Sequence, residues 1–362
     1  MLVWLLLLLS VIVSWVMIPS ALGKKKKKLI FLGLVFAIMV FVLGSRSEYN
    51  AVDLYGYHRW YQRAMDLPLG QLLEYTGVEA GYLILNNTLS EIVPWEYFIF
   101  YFQAAFCTGI MFWYIYKNVD NVFMGVMVYI CMGPWQFFLT GFRQSMAICL
   151  CLIALEQVKK HKVTNDFLAL GLIALAASLH TTAWLFLIIF VIKYFKVGRN
   201  VVVFSGIITV TLSFFVDDLV TFVNDSKGRV YESGEFSGNA LGGIIPILIY
   251  LCALILCYIV WYGDKDFTND YSMEIKLLVL GFCLYTLRYN TLVFERISFY
   301  FTPAIAVVLP SAIDRQKNDK ERLVVSAVCI ALCIGLYIYR TVQQFGEFEF
   351  YWDNYLIGDL WI

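Results

Sequence analysis

Apolar runs of membrane-crossing length recur along almost the whole chain, at 2–18, 28–43, 97–116, 121–139, 144–158, 165–179, 181–195, 200–220, 241–262, 273–287, 297–313 and 323–340. A span needs about 20 apolar residues, and shorter runs serve where a helix is buried among others. Backbone polar groups in lipid must be satisfied within the element itself, so runs this long read as helices. Hydrophobic residues make up 61% of the 362 residues and charged ones 15%, whereas soluble domains are about half apolar. The expectation is therefore all-α: a polytopic integral membrane helical bundle of about 12 transmembrane helices, forming one domain over residues 1–362.

The loops orient it. The first run has no positive residue before it and Lys24–Lys28 after it, the reverse of a signal peptide. Five lysines hold their loop in the cytoplasm and leave the N-terminus outside. Threading from there puts Lys117, Lys159–Lys162, Lys193–Arg199, Lys265–Lys276 and Arg315–Arg322 inside as well. The inner loops then hold 18 of the 27 basic residues, 15 of them lysine; the nine outer ones are arginine except Lys227. Two stretches are settled by this bias. Residues 81–93 contain Asn86, Asn87 and Glu91 and read as a re-entrant or interfacial helix. Residues 165–195 read as two short helices turning near His180, because a single span would carry Lys193–Arg199 outside. The outer segments are 45–80 and 221–240, with an outer tail at 341–362.

Arginine on the outer side matters chemically, since a guanidinium grips phosphate or carboxylate with two parallel donors while lysine is a hydrated point charge. Arg46 and Arg340 read as headgroup snorkellers. Arg143 opens an apolar helix, and Arg288 and Arg296 bracket a tight outer turn beside Glu295. An arginine at that depth costs about 2.5–3.5 kcal/mol on insertion scales, which calls for an anionic partner: a ligand, or an internal carboxylate such as Glu295 for Arg288.

The outer segment after the second run interleaves Tyr49, Tyr55, Tyr57, Trp60, Tyr61, Tyr75 and Tyr82 with Asp53, His58, Arg59, Arg63, Glu74 and Glu79. Such a mixture is an interfacial belt or a surface for sugar rings, which stack on aromatic faces and need polar partners for their hydroxyls. His180 is the best-placed general base, because His161 falls on the cytoplasmic side and His58 in a mobile outer segment. A lone histidine there also suits packing. All nine cysteines lie inside apolar runs and read as packing residues, and no metal-ligand cluster, phosphate loop or hydrolase motif is present. Charges balance at 27 and 27, so nothing points to nucleic acid.

Asp53 with Tyr57 and Tyr61, Glu79-Ala-Gly-Tyr82, Phe142-Arg-Gln-Ser-Met-Ala147, Leu179-His-Thr-Thr-Ala183 and Glu295-Arg-Ile-Ser-Phe-Tyr300 occur in order over about 250 residues. With these the chain resembles the EpsG family, grouped with Wzy-type polymerases of O-antigen, capsule and exopolysaccharide. The first span with its five lysines is a departure from that pattern. The resemblance implies a glycosyltransferase of the C type on the outer face of the bacterial cytoplasmic membrane. Its donor and acceptor would be polyprenyl-diphosphate-linked oligosaccharides, with no nucleotide sugar, metal or other cofactor. Chain-length regulator and flippase proteins are the implied protein partners. The residues themselves supply a compatible mechanism: the catalytic candidates are His180 or Glu79 as base with Arg143 and Arg296, and Arg143, Arg288 and Arg296 would bind the diphosphate and neutralise its developing charge. Asp53, Tyr57, Tyr61, Tyr82, Gln144, Glu295 and Tyr300 would bind sugars.

An O-antigen-type ligase shares the donor and differs in acceptor. A lipid-linked-sugar exporter or flippase predicts charges buried mid-span, and most span centres here are uncharged. A membrane acyltransferase could use His180, although its donor would be expected from the cytoplasm.

Overall fold

The computed structural model describes residues 1–132, 135–196, 198–215, 240–289, 292–316, 318–344 and 347–353. Apart from Ala240, the expected outer segment 221–240 lies outside the described residues, as do Lys227, Arg229 and much of the tail. Within them the fold is all-α. In chain order the main helices are α1 (Leu2–Met17), α2 (Lys24–Gly44), α3 (Val52–Asp66), α4 (Ala80–Ile92), α5 (Phe98–Asn118), α6 (Val122–Cys131), α7 (Phe142–Val158) and α8 (Val163–Leu179). There follow α9 (Arg199–Phe214), α10 (Ala240–Gly263), α11 (Ser272–Thr286), α12 (Leu292–Ser298), α13 (Ile305–Asp314) and α14 (Asp319–Gln344).

Among the described residues, three helices are by length and composition able to cross a membrane: Lys24–Gly44, Phe98–Asn118 and Asp319–Val342 within α14. Shorter apolar helices accompany them, including α1, α6, α8 and α13. Some expected runs are broken. The run 121–139 ends as α6 at Cys131 and resumes as a single turn, Trp135–Phe138, because Gly133-Pro134 falls between and proline lacks the amide that a continuous helix needs. The run 297–313 is split likewise: a 3₁₀ turn, Thr302–Ala304, with Pro303 in its first turn leads into α13.

The run 165–195 turns where the lysines require. His180 is extended, with φ −155 and ψ 112, and stops α8; a 3₁₀ segment, Thr181–Ile188, and a short turn, Ile189–Ile192, follow.

The interior is built on α7. Every residue from Phe142 to Leu152 is buried, and α7 packs along α8 on one side and α5 on another. Further parts of the core come from α2 against α5, from α6 against α13 and α14, and from α11 against α9 and α12. The outer helices keep large apolar side chains exposed, among them Leu6 and Leu9 of α1, Phe167 and Leu175 of α8, Phe214 of α9, and Leu323 and Val328 of α14. A soluble monomer does not present a ring of this kind; lipid covers it at no cost, as in a multi-pass membrane protein.

At the lysine-rich end, three helices are tied by ions. Lys159 Nζ donates to Asn118 Oδ1 at 2.8 Å and Glu156 Oε1 at 2.8 Å, and also to Glu274; Lys117 pairs with the far oxygen of Glu156. Glu156 and Glu274 are 2% and 0% exposed, so the knot joins α5, α7 and α11 through buried carboxylates, with Lys117 reaching in from the exposed side.

Candidate functional site

The opposite end gathers residues from four separate sequence motifs around Glu79. Glu79 is the residue at the N-terminal boundary of α4; its carboxylate makes no capping bond to that helix and pairs instead with the Arg143 guanidinium. Its Oε1 lies 3.3 Å from His180 Nδ1 and accepts from both the Thr181 amide and the Thr181 hydroxyl at 3.1 Å. Burial alone would raise the Glu79 carboxyl, but the His180 hydrogen bond, the charge of Arg143 and the Thr181 amide outweigh it and hold it well below the usual carboxylate range. It is a fixed anion.

Local sequence explains why these groups meet. Gly81 lies where a Cβ would collide with the Ser178 hydroxyl and carbonyl, so only glycine lets α4 approach α8 closely enough to place Glu79 beside His180. His180 leaves the helical conformation where α8 ends, which turns its ring toward Glu79 and starts the 3₁₀ segment with Thr181. Arg143 occupies the first turn of α7, the end at which the helix dipole disfavours a cation. Helix stability does not account for an arginine there; Glu79 does.

A second arginine is set alongside. Gln144 Nε2 donates to the Arg296 carbonyl at 2.6 Å, fixing α12 against α7. Arg296 Nη2 lies 3.8 Å from Asp53 Oδ2, each side chain more than a third exposed. Tyr57 stacks parallel on Phe142 at 4.8 Å and meets the edge of Tyr82 at 5.9 Å, and Arg143 lies over Tyr82.

The structure thus joins Glu79, His180, Arg143, Tyr57, Asp53, Gln144 and Arg296. Other residues expected at the site have different surroundings. Arg288 is 4% exposed, held by Tyr285 and by Glu295 at 3.4 Å, so the internal carboxylate proves to be its mate. Tyr61, Tyr82 and Tyr300 are fully buried, and the hydroxyl of Tyr61 donates to the Val93 carbonyl at 2.8 Å. Tyr300 meets Thr182 at 3.0 Å and supports the loop after His180 instead of facing solvent.

Three readings are corrected. Arg340 does not snorkel: it is buried, and its charge acts on Glu295 and Tyr285. Arg46 does not snorkel: it is 1% exposed and donates to the carbonyls of Leu43 and Leu139, closing helix ends that burial would leave unsatisfied. His58 is not on a mobile segment: it is 4% exposed, stacked on Tyr97 at 4.7 Å and facing Glu96 at 3.4 Å. The sequence reading overlooked Phe142, Thr181 and Thr182 as parts of the site. All three belong to the same short motifs as Arg143 and His180, which was the available signal. Among the described residues, no group of three or more His, Cys, Asp or Glu is placed to hold a metal ion.

Fold and site together define a polytopic helical membrane protein with a carboxylate, an imidazole and two guanidinia collected at one end of its bundle. A family model covers residues 29–355, and the chain belongs to the EpsG family, whose members are Wzy-type polysaccharide polymerases. The apolar first helix and its lysines, which depart from the family pattern, precede the matched region. No curated protein and no solved structure matches the chain.

Proposed function

We propose that the cluster around Glu79 is the catalytic centre of a polymerase that joins polyprenyl-diphosphate-linked oligosaccharides on the outer face of the bacterial cytoplasmic membrane. The observation that carries this reading is the convergence on one half-buried carboxylate of His180 and Thr181 from the end of α8 and Arg143 from the start of α7. His180 is the base. Glu79 is committed to four hydrogen-bonding or ionic partners and orients the imidazole through Nδ1, so Nε2 on the far side of the ring takes the proton of the acceptor hydroxyl. The acceptor oxygen attacks the anomeric carbon as the bond to the polyprenyl diphosphate breaks, and the diphosphate leaves with the bonding electrons. Arg143 and Arg296 neutralise that developing charge, the task for which fixed cations contribute most to such a step.

Arg288, buried against Glu295, holds α12 in place. Sugar contacts fall to Asp53, Gln144 and the exposed aromatic side chains of the outer segment, among them Tyr49 and Tyr55. A C-type glycosyltransferase of this kind uses no nucleotide sugar or metal. The reading is tested by supplying the purified protein with a synthetic lipid-diphosphate repeat unit alone. A product ladder without nucleotide or added metal is the expected result. Transfer only to a different acceptor would replace polymerase with ligase, and movement across vesicles without new glycosidic bonds would replace it with exporter.

A further inference from the structure

The sequence expectation for Tyr57 is a ring that stacks a sugar, yet its surroundings favour other chemistry. One face of the ring is already taken by Phe142, with 2° between the planes, and the Tyr82 ring meets it edge-on. Phe142 is the neighbour of Arg143 in the chain and Arg143 lies over Tyr82, so both rings that touch Tyr57 bring it to that guanidinium, which acts on the phenol by charge and as a hydrogen-bond donor; the charges of Asp53 and Arg296 act on it as well. Asp53, one helical turn before Tyr57 on α3, pairs with Arg296, so Tyr57 carries a hydroxyl on the segment that faces both arginines of the proposed reaction. A guanidinium can only donate, so in the Arg143 bond the phenol oxygen accepts. The phenol's own proton is therefore directed to another acceptor.

We infer that Tyr57 is a diphosphate-binding residue, its O–H donating to an oxygen of a polyprenyl diphosphate held between Arg143 and Arg296. This rests on the polymerase reading above and names a third donor for the same leaving group. Two cations neutralise the diphosphate but fix its position poorly, whereas a neutral hydroxyl adds a directed bond. Polarisation by Arg143 strengthens that bond. Burial pushes the Tyr57 phenol above its ordinary range, so it keeps its proton throughout. No proton passes from Tyr57: the acceptor's proton goes to His180, and the phenol stabilises charge as the diphosphate departs.

The comparison of Tyr57→Phe with Tyr57→Ala separates this role from sugar stacking. Phenylalanine keeps the stack on Phe142 and removes only the O–H. With the full-length protein in nanodiscs, Tyr57→Phe should leave the thermal midpoint unchanged and lower kcat by about 10–100-fold, below the full loss of a charged donor. Its KM for the acceptor should hold, while affinity for farnesyl diphosphate falls by about tenfold. Wild-type kcat and wild-type farnesyl diphosphate affinity in Tyr57→Phe, with defects confined to Tyr57→Ala, would overturn the inference in favour of a ring that packs or stacks. Inorganic pyrophosphate is the control ligand. If the wild type binds it and not farnesyl diphosphate, the lipid-linked ligand is refuted. If the wild type binds farnesyl diphosphate but makes no ladder, the polymerase reading falls, and the binding arm still decides the role of Tyr57.

Discussion

The two ends of this bundle solve the same electrostatic problem with different residues. At the inner end as oriented by the sequence, Glu156 and Glu274 meet Lys117 and Lys159; at the outer end, Glu79 meets Arg143 and His180. Both place carboxylates out of water with cations against them, and both join helices distant in sequence. In the inner knot both carboxylates are almost wholly buried and their partners are lysines, which are point donors, and the Asn118 amide, which donates to Glu156 and accepts from Lys159. The outer cluster contains a group that can exchange a proton, His180, and a second guanidinium, Arg296, more than a third exposed. Burying ions ties helices together in both places. Lys117 is as exposed as Arg296, so the difference lies in the chemistry: only the cluster around Glu79 sets an exposed guanidinium beside a group that can exchange a proton.

Substitutions should separate the two ends sharply. Arg143→Ala removes the fixed cation and leaves Glu79 partly uncompensated; turnover in the ladder assay should fall by about 10³-fold, about 4 kcal/mol of transition-state stabilisation. Activity within tenfold of wild type at equal expression would remove Arg143 from the chemistry. The matching inner variant is Glu156→Ala, which strips a partner from Lys117 and Lys159 while Glu274 remains for Lys159. It should cost about 3 kcal/mol in stability, the lower end for a broken buried pair, and leave the specific activity of the folded fraction near wild type. Loss of activity without loss of stability would erase the distinction between the ends.

A finer contrast lies within the outer end. Arg296→Lys replaces a two-toothed grip by a point charge and should lower kcat by about tenfold with a normal thermal midpoint, whereas Arg288→Lys should act on stability first, because Arg288 is 4% exposed against Glu295 and Tyr285. Equal kinetic effects of the two would return Arg288 to the diphosphate.

How much of this was legible in advance follows from physics that acts locally or at a distance. Apolar runs are local signals, so the helical class and the break at His180 could be read directly. Glu79, Arg143 and His180 could be singled out because charged residues at the edges of apolar runs are costly there. Their mutual contact could not, since it depends on Gly81 admitting Ser178, a close approach between helices nearly a hundred residues apart. Burial misled the reading for the same reason: Arg46, His58 and Tyr61 look solvent-facing in a polar outer segment, and tertiary packing covers all three. The break in the run 121–139 was marked by Pro134 and could have been found.

The smallest expected effect concerns His58, which tests whether the outer end holds structural as well as catalytic ions. Its ring sits between Glu48 at 4.0 Å and Glu96 at 3.4 Å, with Arg59 also acting on it, and it stacks on Tyr97, whose hydroxyl donates to Glu48 at 3.0 Å. Burial lowers the His58 imidazole below its ordinary value of 6.5 and outweighs both carboxylates, so the folded protein favours the neutral ring. Unfolded chain then binds the proton more readily than folded chain just below pH 6.5. Stability is therefore lost as pH falls from 6.5 toward the folded value, with a slope of at most about 1.4 kcal/mol per pH unit. Thermal midpoints of the wild type and of His58→Phe, compared across pH 5–7 in one detergent, should show this slope in the wild type alone. A wild type that gains stability over that interval would mean that Glu48 and Glu96 hold the ring protonated, and the outer end would then contain a second ion knot like the lysine one within.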